Sequence, residues 1–134
     1  MQQLLASSVI AELHNTESSV QITLPLPTTP LKTEQWLTQF VSLFHFQASQ
    51  ADWGADRFQV VLTSLKGHPP FQCLLCIEWL CEAIWLEPIG SEQRPQIISD
   101  YLKEQGGAFS AYLHSKVGNQ FFCQSNEEAL LVGI

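Results

Sequence analysis

The residues of this chain best suited to chemistry are its four cysteines, with Cys73, Cys76 and Cys81 close together and Cys123 apart. A C-x-x-C pair opens a zinc site or a thiol redox couple when its sulfurs converge from a tight turn or a helix N-terminus. Here the spacer is Leu74 and Leu75, with no glycine or proline to make that turn. On a strand, residues three apart point to opposite faces, so Cys73 and Cys76 would not share one metal. A helix would align those two and leave Cys81 off their face. The expectation is that these thiols are small buried hydrophobes, with no metal ligand set and no cofactor.

Carboxylates are the next candidates. Glu78, Glu82, Glu87 and Glu92 follow one another with only Arg94 nearby to oppose them. General acid and base work needs two carboxyls whose surroundings separate their proton affinities, and it usually acts on a nucleophile or histidine close by. None stands near them in sequence, so no catalytic residue is assigned. Glu78, Glu82 and Glu87 read instead as a solvated, polar strand face or, in functional terms, as a negative ridge for recognition, with Glu78 and Glu82 expected on one face of a strand. Trp53, alone in a polar loop, reads either as an interface anchor or as a ring packed back onto the domain.

Other motifs exclude more than they suggest. His14, His45, His68 and His114 lack H-x-x-x-H or H-E-x-x-H spacing, and Asp52 and Asp56 flank Gly54 without the remaining ligands of an EF-hand. Neither G-x-G-x-x-G, a Walker A loop nor G-x-S-x-G occurs.

The elements that must position these residues centre on the run from Phe71 to Leu86. Its odd positions are all apolar, whereas its even positions admit Gln72, Glu78 and Glu82, which is the period of a strand with one buried face. The run is too long for one strand and is expected to reverse near Leu80 to Glu82, giving a further strand over Ala83 to Glu87. A helix is the rival, because Glu78 and Glu82 are also spaced i, i+4. Phe58 to Leu65 is β-rich, and Lys66, Gly67, His68, Pro69 and Pro70 turn it into the Phe71 run as a hairpin.

Around this meander, Ser19 to Leu26 alternates and ends in prolines, which suits an edge strand. Leu4 to His14 reads equally as a short helix or a strand. Trp36, Leu37, Phe40, Val41 and Phe44 mark an amphipathic helix from about Leu31 to Phe46, followed by a loop from Gln47 to Asp56. Gly90 or Ser91 opens a second helix whose buried stripe is Ile97, Ile98, Tyr101 and Leu102, and which Gly106 and Gly107 are expected to end. Helical spacing resumes from Ala108 to Val117. A Gly118-Asn119 turn, a strand over Gln120 to Cys123 and an S-x-x-E cap at Ser125 and Glu128 complete the pattern. The fold class that follows is α+β: one domain over 1–134, an antiparallel sheet of three to five strands meandering around 58–87, and two or three helices packed mainly on one face.

Composition bounds the function. Thirteen acidic against six scattered basic residues give a net charge of −7, which argues against nucleic acid and anionic membranes and in favour of a basic protein partner. The first residues lack the basic start of a secretory leader, and the longest apolar run carries two glutamates, so a cytoplasmic protein is expected. With 46% hydrophobic and only 14% charged residues, some apolar surface is expected to be covered in a homodimer. The sequence therefore predicts a small acidic interaction module: an adaptor, a chaperone-like escort or an inhibitor. Two alternatives stand beside it: a cysteine-dependent metal or redox protein, and a small-molecule binder with an apolar pocket lined by Trp79, Trp85 and Phe40.

Overall fold

A computed structural model of the 134-residue chain describes residues 3–116, with side chains described through Gly107. Helix α1 (Ala6–Ala11) leads into strands β1 (Leu13–Asn15) and β2 (Val20–Ile22), then α2 (Pro30–Phe44). Five strands follow, β3 (Phe46–Ala48), β4 (Asp52–Trp53), β5 (Arg57–Ser64), β6 (Gln72–Glu78) and β7 (Ala83–Ile89), before α3 (Pro95–Lys116). All seven strands join one sheet in the order β1-β2-β7-β6-β5-β3, with β4 also on β5. Every pairing is antiparallel. The protein is α+β, as its sequence predicts, but the sheet exceeds the expected three to five strands. The additional strands β1, β3 and β4 have three, three and two residues, too few for an alternating pattern to show.

The Phe71 run is extended, not helical, and it reverses where expected. Glu78 lies opposite Ala83, which leaves Trp79, Leu80, Cys81 and Glu82 as the hairpin loop, closed by the Glu82 amide on the Trp79 carbonyl at 3.2 Å. Because an even residue is paired with an odd one, the parity of the buried face inverts across this loop. Cys73, Leu75 and Ile77 are buried on β6, and Ile84 and Leu86 are buried on β7. Trp85, which belongs to the apolar odd set in sequence, consequently lies on the other side of the sheet, beside Cys76.

All three helices cover one face. Val9 of α1, Trp36, Phe40 and Phe44 of α2, and Ile98 and Leu102 of α3 form one buried cluster with Phe58, Leu62, Leu75 and Leu86 of the sheet. Thr29 caps α2 by accepting the Lys32 amide at 3.1 Å, and Pro30 supplies a preset first turn. Trp36 stacks on Phe40 at 5.1 Å and Phe40 on Phe46 at 6.0 Å, so the apolar stripe of α2 becomes an aromatic ladder. The helix stops earlier than predicted, at Phe44, because His45 adopts the left-handed region at φ 58° and Phe46 begins β3. The His45 carbonyl accepts the Tyr101 hydroxyl at 2.6 Å, tying the end of α2 to α3.

Several sequence expectations are corrected. Strand β2 is not an edge, since it pairs with both β1 and β7. Leu4 to His14 holds a helix and a strand in turn, and the expected loop Gln47 to Asp56 contains the end of β3 and all of β4. Helix α3 starts at Pro95 rather than Ser91, and Ile97 is exposed instead of buried. It also runs through Gly106 and Gly107. A Cβ on Gly106 would collide with Ile10 Cδ1 and press on Ala6 Cβ and Phe44 Cε1, both at 3.3 Å. Gly106 is thus the point where α1 and α2 approach α3, not a terminator. The helical spacing from Ala108 continues in the same helix as far as Lys116. The turn, strand and cap expected from Gly118 to Glu128 lie outside the described residues. Among the described residues no helix is long and apolar enough to cross a membrane.

Candidate functional site

The hairpin loop between β6 and β7 stands next to the start of β5, because Arg57 is opposite Glu78 and the Trp79 amide donates to the Asp56 carbonyl at 3.0 Å. Strand β4 pairs with the same end of β5, Trp53 lying opposite Phe58. Two segments distant in sequence thereby bring Asp52, Asp56, Glu78 and Glu82 to one end of the sheet. Arg57 is the cation among them, 3.8 Å from Asp52 in an exposed pair that contributes little to stability. Beside the carboxylates stand two apolar groups open to solvent, Trp53 at 41% and Leu80 at 79%.

Trp53 is held as well as exposed. Its ring meets Phe58 edge-on at 4.6 Å and lies parallel to Trp79 at 6.4 Å, while the Trp79 indole donates to the Pro27 carbonyl at 2.7 Å. A half-open aromatic ring fixed in this way has little side-chain entropy left to lose in any further contact. Glu82 sits in the loop with φ 52°, so it does not share a strand face with Glu78 as the sequence implies. Glu78 accepts the Cys81 thiol at 2.8 Å, which pushes the Cys81 pKa up because the bond and the nearby negative charge both favour the protonated thiol.

Glu87 is the residue that does not join this group. It lies opposite Leu74 on the face of the sheet away from the helices, where the Trp85 indole donates to its carboxylate at 2.6 Å. The expected ridge of Glu78, Glu82 and Glu87 is therefore divided: Glu78 and Glu87 share the open face but stand at opposite ends of the β6–β7 pair, and Glu82 is in the loop. Asp52, Asp56 and Leu80 are the members that sequence reasoning missed. The Asp52-Gly54-Asp56 spacing was the available signal, but it suggests calcium rather than a surface, and only strand pairing carries it to Glu78.

Cys73 and Cys76 diverge as a strand requires. Cys73 is inside the core, and burial, with a smaller contribution from Cys76, pushes its pKa up to about 12. Cys76 is buried on the opposite side of the sheet, where burial and then the negative charge of Glu87 raise it to about 11. Both hold their protons at neutral pH, the reverse of what a thiolate nucleophile or metal ligand needs. Among the described residues no three of histidine, cysteine, aspartate and glutamate converge as a metal site would require. The carboxylates at the sheet end are spread along an edge instead of gathered at a point.

The pocket expected between sheet and helices does not form from the residues proposed for it. Phe40 is fully buried in the aromatic ladder, Trp85 is across the sheet, and Trp79 is turned to Pro27. A cleft of about 440 Å³ does exist elsewhere, between α1, the segment after β2 and the start of α2, lined by Leu4, Leu24, Leu26, Pro27, Lys32 and Trp36 among others. Comparison of the chain with protein-family models, with curated proteins and with solved structures finds no match.

Proposed function

We propose that this protein is a non-catalytic interaction module, an adaptor, escort or inhibitor, that receives a basic and partly apolar segment of another protein at the acidic end of its sheet. The observation that carries this reading is that Asp52, Asp56, Glu78 and Glu82 stand at the same end of the sheet as the exposed Trp53 and Leu80, with Arg57 as the opposing charge there among the described residues. Carboxylates of this kind steer a cationic partner from a distance and set its orientation, and the aromatic and aliphatic groups supply the contact area.

The test is retention of native-cell proteins on the immobilised full chain, compared with Asp56→Lys/Glu82→Lys and with Trp53→Ala/Leu80→Ala. The charge variant is expected to slow association by about tenfold and to weaken its salt dependence, and the apolar variant to speed dissociation. The carboxylates are exposed, so the thermal midpoint of the charge variant should stay within a few degrees of the parent, whereas Trp53→Ala also loses the packing on Phe58 and should lower it. A partner retained equally by all three proteins would remove the acidic end as its binding surface.

A further inference from the structure

The cleft of about 440 Å³ beside α1 has the size of a small-molecule site, since such sites occupy roughly 300–1,000 Å³. Three segments wall it: the chain entering α1, the stretch after β2 and the first turns of α2. Each wall is held by a contact to another part of the fold. The stretch Leu24-Pro25-Leu26-Pro27 alternates leucine with proline, so two of its positions offer no amide for strand pairing and the residues before them are biased to extended chain. The Trp79 indole pins its far end by donating to the Pro27 carbonyl at 2.7 Å. On the opposite wall the Leu4 amide donates to Gln39 Oε1 of α2 at 2.6 Å, and α1 lies against Gly106 of α3. The space between the walls is thus set by the fold before any ligand enters.

The lining divides by chemistry. Leu4, Leu24, Leu26 and Trp36 give it apolar surface, whereas Lys32, with the hydroxyls of Ser8 and Thr28, gives it hydrogen-bond donors. Lys32 stands four residues before Trp36 and so shares a face of α2 with it. None of the aspartates or glutamates of this acidic chain lines the cleft, and among the described residues Lys32 has no salt bridge. A cationic ligand would meet repulsion here, and a neutral one would leave the ammonium group unused. An anion with an apolar body satisfies both parts of the lining. The net charge of −7 does not prevent this, because carboxylates elsewhere are screened beyond about 10 Å at ordinary salt.

We propose that this cleft binds a monocarboxylic acid with an apolar chain, its carboxylate on Lys32 and its chain along Leu24, Leu26 and Trp36. The site does not depend on the partner proposed for the acidic end of the sheet.

Calorimetric titration of the full chain with decanoate, decanol and decylamine, each below its micelle-forming concentration, tests the assignment. Decanoate is expected to bind at one site and about tenfold more tightly than decanol or decylamine, the increment of one charge-assisted hydrogen bond. Lys32→Gln should erase the preference for decanoate over decanol without moving the thermal midpoint, since this exposed side chain carries no core packing. Ser8→Trp, at an exposed position of α1 that lines the cleft, should fill it and abolish binding of both. Equal affinity for decanoate and decanol overturns the proposal, as does a preference that survives Lys32→Gln or an absence of decanoate binding. Binding that emerges only in the full-length variant Leu130→Asp/Leu131→Asp would assign the cleft to the C-terminal segment of the chain, and overturns the proposal equally.

Discussion

Leu74 and Leu75 are adjacent in β6, yet they belong to different environments. Leu75 is fully buried between Val60 and Leu86, whereas Leu74 lies partly open between Val61 and Glu87. The same contrast holds along the whole strand pair: Phe58, Leu62, Ile77 and Ile84 face the helices, and Arg57, Gln59, Glu78 and Trp85 face away. One backbone thus carries two surfaces, of which the first is packed into the core and the second is left without a helix over it among the described residues. Hydrophobicity alone does not separate them, since Leu74, Cys76 and Trp85 are as apolar as their buried neighbours. What separates them is the side of the sheet on which the helices pack.

The largest expected effect is at Leu75. Replacement by alanine should cost about 2–5 kcal/mol through lost transfer energy and the cavity left behind, whereas Leu74→Ala should cost under about 1 kcal/mol at protein concentrations low enough to keep the chain monomeric. Denaturant unfolding of both variants checks this. Equal losses would mean that the open face is covered as tightly as the core.

A smaller contrast lies between two neighbouring glycines of α3. Gly106→Ala should lose about 1–2 kcal/mol, the strain against Ile10 and Ala6 outweighing the better helix propensity of alanine. Gly107 has open space around its Cβ position, so Gly107→Ala should gain up to about 1 kcal/mol. Thermal melts of the two variants shifting in the same direction would contradict the close approach of α1 to α3.

The smallest effect is on pH. Cys73 is raised from 9.0 to about 12 by burial, so the folded state keeps its proton where the unfolded state releases it. Stability from this thiol is complete below pH 9.0 and is lost as pH climbs from there toward about 12. Between about pH 8 and about pH 9.5 the loss should be about 1 kcal/mol, and Cys73→Ala should flatten it. A pH profile unchanged by that variant would place Cys73 in contact with solvent.

Much of the framework is legible in the amino-acid sequence. The alternation in Phe58 to Leu65 and in the Phe71 run has the period of a strand, the prolines and glycine at Gly67 to Pro70 mark the hairpin turn, and Trp36, Phe40 and Phe44 have the spacing of one helix face. These are local signals, set by backbone geometry within a few residues. The divergence of Cys73 and Cys76 follows from the same rule.

Tertiary structure alone decided the rest. The parity change across Trp79 to Glu82 depends on which residue pairs with which, and no composition rule fixes that Glu78 meets Ala83. It moved Trp85 from the core to the open face and placed Glu82 in a loop. Gly106 has the same local chemistry as a helix terminator, and only the presence of Ile10 and Phe44 beside it makes it a close contact. The acidic end arises likewise, because Asp52 and Asp56 meet Glu78 through pairing of β4 and β6 with β5, across a separation that periodicity does not span. Local sequence determines which face of an element is apolar; the packing of distant elements determines which of those faces is covered.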